Sequence, residues 1–238
     1  MRINNFISSR GVCSRREADR LIQAGKVLIN GVIAQIGMDV GLHDRVLVEG
    51  KEIANTPDKV YLLFNKPKGI VTTTDLTKPN NIISFVAYPE RIFPVGRLDK
   101  DSSGLIILTS DGDIVNRILR SENSHEKEYL VKVAKPLTEA FLKAMASGVE
   151  IYNPVRHRYE VTLPARVVKY SDKTFTIVLT QGLNLQIRRM AKAAGNHVET
   201  LERVRIMNLT GKGLVPGTWR HLSGEELSVL MEMVAKNP

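Results

Sequence analysis

The 238-residue sequence predicts an α+β protein in two parts, a small N-terminal module over 1–57 and a larger domain over 58–238. Two observations carry that prediction. Apolar runs of strand length alternate with stretches of helical periodicity, and the pattern lapses once into linker-like composition, at Ala54-Asn55-Thr56-Pro57-Asp58.

In the first module, Ser14 and Glu17 have capping-box spacing, Ala18, Leu21 and Ile22 share an apolar face, and Gly25 ends the helix. At about 100° per residue, Arg16 and Arg20 project nearly opposite that face. The runs KVLING and RVLVEG read as short strands closing on the turn signals Asn30-Gly31 and Glu49-Gly50. Beyond the lapse, VYLLFNKPKG opens a strand and a Pro/Gly loop. Further strands are expected from Leu105 to Leu108, Tyr129 to Val133, Glu160 to Leu163 and Phe175 to Leu179. Helices are expected from Asp113 to Arg120, Leu137 to Ser147, Leu185 to Ala194 and Gly224 to Ala235.

With 43% apolar residues at this length the chain can bury a core, which excludes wholesale disorder and a disulfide-stapled miniprotein. Its one cysteine, Cys13, cannot form an internal disulfide. The N-terminus has no apolar signal core and no segment approaches the roughly 18 apolar residues of a spanning helix, so a reducing, cytoplasmic compartment is expected. No His/Cys cluster has metal-ligand spacing and no phosphate-binding glycine loop of the GxxxxGK[ST] type is present, so neither metal nor nucleotide cofactor is expected.

The net charge of +9 points to an anionic partner. Charge alone does not choose among nucleic acid, acidic membrane and acidic protein, although the basic helix has few apolar positions and no aromatic anchor for a membrane. Two basic clusters stand out. The first is Arg10, Arg15, Arg16 and Arg20. The second lies in Gln186-Ile187-Arg188-Arg189-Met190-Ala191-Lys192, where Arg188 and Lys192 share a helix face and Arg189 points about 100° away. A solvated helix face explains either cluster by itself. Between them, the segment from Phe93 to Thr109 places Asp99 on a glycine-flanked loop entering an apolar strand. On composition alone Asp99 or Asp101 simply caps a turn, yet loops on rigid scaffolds are also where chemistry sits.

Residues 3–53 closely resemble an S4 RNA-binding domain of the α-L type. That resemblance implies that the capped, arginine-rich helix, with Arg10, Ser14, Arg15, Arg16 and Arg20, docks on RNA backbone. The motif GRLD-x-x-S-x-GL-I-x-LT around Asp99 resembles the central signature of the pseudouridine synthases. Three further segments match that family in order: Leu63-Phe64-Asn65-Lys66-Pro67-Lys68-Gly69 its NKP-x-G loop, Glu126-Lys127-Glu128-Tyr129 its K-x-Y motif, and Gln186-Ile187-Arg188-Arg189-Met190 the QIRRM segment of the S4-bearing branch. Within that branch, which is bacterial and modifies ribosomal RNA, Asp99-Lys100-Asp101-Ser102, His125-Glu126-Lys127-Glu128-Tyr129 and Arg205-Ile206-Met207-Asn208 look most like a large-subunit (23S) enzyme. Ser102 replaces a commoner Thr, and Leu185 stands where a basic residue commonly precedes QIRRM.

The resemblance implies a mixed, mainly antiparallel catalytic sheet with flanking helices. It also implies a cofactor-free isomerisation of uridine to pseudouridine, in which the bond from C1′ to N1 is exchanged for one from C1′ to C5 on a flipped base. It makes Asp99 the essential carboxylate, as nucleophile or as base, with Tyr129 stacking on the extruded uracil or serving as a core aromatic. Arg188 is expected to pair with Asp99, and Arg97 to fill or guard the space the base leaves. Lys66, Lys68 and Arg189 are expected either to contact RNA backbone or to be plain solvated charge. The expected partner is 23S rRNA or a ribosomal assembly particle, met by a monomer, with 16S rRNA and tRNA as alternatives. A non-catalytic S4-type ribosome-associated protein is the rival reading.

Overall fold

The computed structural model describes residues 1–53, 59–119 and 125–235. The chain divides into two compact units, one of Met1–Val60 with Tyr88–Ile92 and Thr109–Asp113, the other of Tyr61–Ala87, Phe93–Leu108 and Ile114–Pro238. The expected boundary at 57/58 lies outside the described residues, as does Arg120 at the end of an expected helix.

The first unit holds helices α1 (Ile3–Ser9) and α2 (Arg15–Gln23), then strands β1 (Val27–Ile29), β2 (Val32–Ile33), β3 (Val46–Val48) and β4 (Lys51–Glu52), ordered β2-β1-β3-β4. Ser14 caps α2 by accepting the Glu17 amide at 3.1 Å, while the Glu17 carboxylate turns to Arg20 at 2.9 Å. Ala18 and Ile22 of α2 pack with Ile3 and Ile7 of α1 and with Val27, Val46 and Val48 of the sheet, leaving Arg16 and Arg20 exposed. The two hairpins turn on Asn30-Gly31 and Glu49-Gly50, where all four residues have φ between 49° and 82°. Positive φ at both turn positions matches the strand twist of a two-residue hairpin, which is why these pairs carry Gly.

The second unit is built on a nine-stranded sheet. Its elements are β5 (Tyr61–Lys66), α3 (Ile82–Val86), β6 (Phe93–Val95), β7 (Ser103–Thr109), α4 (Gly112–Leu119), β8 (Lys127–Val133), α5 (Glu139–Ser147), β9 (Glu150–Asn153), β10 (Arg158–Val161), β11 (Arg166–Ser171), β12 (Thr174–Leu179), α6 (Gln186–Ala193), β13 (Val198–Ile206), β14 (Leu209–Thr210), β15 (Trp219–His221) and α7 (Gly224–Ala235). The main path runs β11-β12-β8-β13-β7-β5-β15, with β14 on β13 and β6 on β7; β9 and β10 form a separate hairpin. The β13–β7 pairing is parallel, and β8 pairs antiparallel with both β12 and β13.

Two apolar cores flank the sheet. Leu105 and Ile107 of β7 pack with Ile114 and Ile118 of α4 and Leu230 and Val234 of α7. Val131 and Val133 of β8 pack with Phe141 and Met145 of α5 and Ile187 and Met190 of α6. Strand β5 is buried along its whole length, and β7 from Gly104 onward, as strands covered on both faces must be. The expected elements stand within a few residues of their ranges; α1, α3, β2, β4, β6, β9, β11, β13, β14 and β15 are additional to them. Among the described residues no helix is long and apolar enough to cross a membrane.

Candidate active site

Asp99 sits half-buried on the loop between β6 and β7, in a turn closed by the Ser102 amide donating to the Asp99 carbonyl at 3.1 Å. Neighbouring backbone clamps this turn. The Thr72 hydroxyl donates to the Leu98 carbonyl at 2.7 Å and accepts the Leu98 amide at 3.3 Å, and the Gly69 amide donates to the Lys100 carbonyl at 2.8 Å. Gly69 has a φ of 90°, a conformation that a side chain would oppose. The NKP-x-G segment therefore holds the Asp99 turn from behind.

Lys66 has a corresponding internal role, which corrects the expectation that it is solvated or touches RNA backbone. Its side chain is fully buried and the ammonium donates to the carbonyls of Pro67 and Ile70, both at 3.0 Å. Burial lowers its pKa to about 8, opposed by the nearby Asp99 carboxylate. Lys68, two residues on, is exposed.

A cavity of about 650 Å³ opens beside the turn, lined by Asp99, Ser102, Tyr129, Lys127, Arg203 and the exposed Arg97 among others. Tyr129 is half-buried on β8 and packs against the α5/α6 core while also lining this cavity, so its two expected roles coexist. Arg188 does not line it. Its guanidinium donates to the Val198 carbonyl at 3.3 Å, the Asp101 carbonyl at 3.2 Å and the Ser102 hydroxyl at 3.5 Å, and no Asp99–Arg188 ion pair is formed among the described residues. The expected direct pairing is thus corrected: α6 directs Arg188 at the backbone of the turn, past the carboxylate.

Arg188, Arg189 and Lys192 line a second, shallow groove of about 310 Å³ with Leu185, His197 and Val198. Arg189 is held by Asn184, through its carbonyl at 3.0 Å and its side-chain oxygen at 3.1 Å. Leu185 caps α6 with a left-handed φ of 51° and makes no side-chain cap bond. In the first unit Arg15, Arg16 and Arg20 are exposed, the Ser14 hydroxyl is used as the helix cap, and the Arg10 guanidinium lies 4.8 Å from the Phe6 ring centre.

Lys127 and Arg203 also line the cavity, and the sequence marks neither as functional. Lys127 lies inside the K-x-Y motif, two residues before Tyr129. Arg203 carried only the alternation of LERVRI as a signal, and its place against β7 depends on a pairing across about a hundred residues of chain.

The sequence profile described as RNA pseudouridylate synthase matches residues 60–193. The chain belongs to that family. The enzyme also matches the S4 domain profile over residues 1–46. It is 48% identical over 236 residues to the dual-specificity RNA pseudouridine synthase RluF of Escherichia coli (strain K12), covering 98% of this chain and 79% of that protein. To the ribosomal large subunit pseudouridine synthase B of Bacillus subtilis (strain 168) it is 32% identical, covering 96% of this chain and 95% of that one. Its fold matches a pseudouridylate synthase crystal structure with a TM-score of 0.69 at 30% identity, over 97% and 99% of the two chains. The resemblance read from the four motifs and the S4 module therefore holds, and the enzyme is an RNA pseudouridine synthase rather than a binding-only protein.

Proposed function

We propose that this synthase isomerises a uridine of 23S ribosomal RNA, with Asp99 as the essential carboxylate. The observation that carries the reading is a carboxylate on a backbone-clamped turn, opening into a cavity large enough for a nucleobase and walled by Tyr129. A uridine stacked in RNA cannot be reached at C1′ and C5 together, so the base must leave its helix and enter the cavity. Tyr129 stacks on it there. Asp99 acts at the sugar, either by bonding to C1′ or by taking a C2′ proton, and the uracil turns before C5 joins C1′. Arg188 acts as a positioning residue, fixing the turn that carries Asp99, and Arg97 guards the gap left in the RNA.

The exposed arginines of α2 give the N-terminal module its grip on RNA phosphates, with Lys68 and Arg189 as secondary contacts. We place the domain boundary at 57/58, between the ends of the two profile matches. Ribosomal RNA as target supports a cytoplasmic location. The dual specificity in the name of the E. coli relative favours a second RNA, with 16S rRNA and tRNA as the alternatives. Mapping pseudouridines in 23S rRNA, 16S rRNA and tRNA from cells with and without the protein tests this: loss of a 23S site is expected, and an unchanged 23S map would refute the assignment.

A further inference from the structure

Three cationic or aromatic side chains on one face of the sheet line the cavity. Lys127 and Tyr129 are two apart on β8, and Arg203 stands opposite Tyr129 on β13. A register shift between Arg203 and Arg205 inserts one residue, so that Ile206, opposite Lys127, also lines the cavity. In an unbroken strand Arg203 and Ile206, three apart, would face opposite sides, so the bulge is what lets both reach the site.

Arg203 is only 4% exposed. Its Nε donates to the Leu105 carbonyl at 2.7 Å, fixing the guanidinium plane, while its buried Nη2 has no hydrogen-bond acceptor among the described residues. The Lys127 ammonium donates to the His125 carbonyl at 3.0 Å and has capacity for two further bonds. Burial, and then the neighbouring Arg203 charge, lower the Lys127 pKa to about 8, and among the described residues no carboxylate offsets them. A buried guanidinium nitrogen without an acceptor is a standing cost, and the cation that carries it forms part of the cavity wall. Uracil presents two carbonyl oxygens, O2 and O4, and both gain negative charge when the ring leaves the sugar.

Resting on the reading of this cavity as the active site, we infer that Arg203 is a further catalytic residue: its guanidinium in the cavity wall, with Lys127 beside it, stabilises the anion that forms on O2 and O4 of the flipped uracil. Heterolysis of the bond from C1′ to N1 sends both electrons onto the uracil, whose charge spreads over O2 and O4, while Asp99 bonds to C1′ or takes a C2′ proton. When C5 bonds to C1′, Asp99 is released or returns that proton. C5 gives up its own proton and N1 takes one up, so substrate and product have the same composition. The cations are needed most between these two steps, when the ring is charged and attached to nothing.

The test compares single-turnover pseudouridine formation, RNA affinity and thermal denaturation for Arg203→Gln, Arg203→Lys and Asp99→Asn in the full-length enzyme. Loss of one preorganised donor to a developing anion costs about a hundredfold or more in rate. Arg203→Gln is therefore expected to slow the reaction by about that factor with RNA affinity within about twofold, and Arg203→Lys, which keeps the charge, to recover at least about a tenth of the wild-type rate. A wild-type rate in Arg203→Gln, or equal losses in the folded Gln and Lys variants, would overturn the inference. If Arg203→Gln does not fold, Arg203→Lys decides alone, and a rate below about a hundredth of wild type overturns it. Asp99→Asn separates the two readings: if it retains activity the active-site assignment itself fails, whereas an inactive Asp99→Asn beside a fully active Arg203→Gln removes only the role of Arg203.

Discussion

The guanidinium of Arg188 donates to the carbonyl of Asp101 at 3.2 Å, two residues beyond the carboxylate of Asp99. The same group reaches the Ser102 hydroxyl and the Val198 carbonyl, so one side chain joins α6, the start of β13 and the aspartate turn. The positioning role proposed for Arg188 would therefore act on Asp99 through the backbone. Arg188→Lys keeps the charge but cannot span these acceptors, and a small misplacement of a reacting group can cost about a hundredfold in rate. Single-turnover kinetics should show kcat reduced by about tenfold to a hundredfold, with RNA affinity unchanged. A lysine variant with wild-type kcat would mean that charge, rather than placement, is what Arg188 supplies.

Tyr129 divides its surface between the α5/α6 core and the cavity. Tyr129→Phe preserves the ring and should leave kcat/KM close to wild type. If the ring stacks on the base as proposed, Tyr129→Leu removes a contact worth about 1–3 kcal/mol and should lower kcat/KM by about fivefold or more. Equal losses in the two variants would assign the effect to the hydroxyl or to the fold.

Gly104 begins the buried part of β7 with a φ of 104°, and a Cβ there would collide with the backbone carbonyl and amide nitrogen of Arg203. Parallel pairing of the two strands requires glycine at this point. Gly104→Ala should destabilise the enzyme by at least about 2 kcal/mol, read as a lowered denaturation midpoint. An unchanged midpoint would contradict the close strand approach that seats Arg203.

Lys66 is buried, with its pKa lowered from 10.5 to about 8. Between those values the unfolded chain binds more protons than the folded one, so stability from this group rises with pH across that window. Below the folded pKa the full cost of the buried charge is present. Urea unfolding at about pH 7 and about pH 9.5 should show a positive slope that Lys66→Met reduces. The same slope in both proteins would refute the buried, depressed lysine.

Much of this was legible in the sequence where structure is local. The Ser14 cap, the Asn30-Gly31 and Glu49-Gly50 turns and the α6 helix follow from short-range chemistry, and the structure forms each of them. The four motifs likewise located the Asp99 loop and Tyr129. What the sequence did not reveal depends on distance along the chain. Lys66 looks like a surface charge until β5 is buried on both faces. Arg203 looks like one more cation on a basic protein until β13 lies between β7 and β8. The target of Arg188 likewise depends on where α6 meets a turn 87 residues away.

Asp99 is proposed as the carboxylate that makes pseudouridine. Asp99→Asn keeps the size of the side chain and removes its charge and nucleophilicity. Carbodiimide primer extension on rRNA incubated with the purified variant, alongside an RNA-binding titration, tests it directly. The expected result is no pseudouridine stop at the target site with wild-type affinity for the RNA; a stop of wild-type intensity would contradict the account.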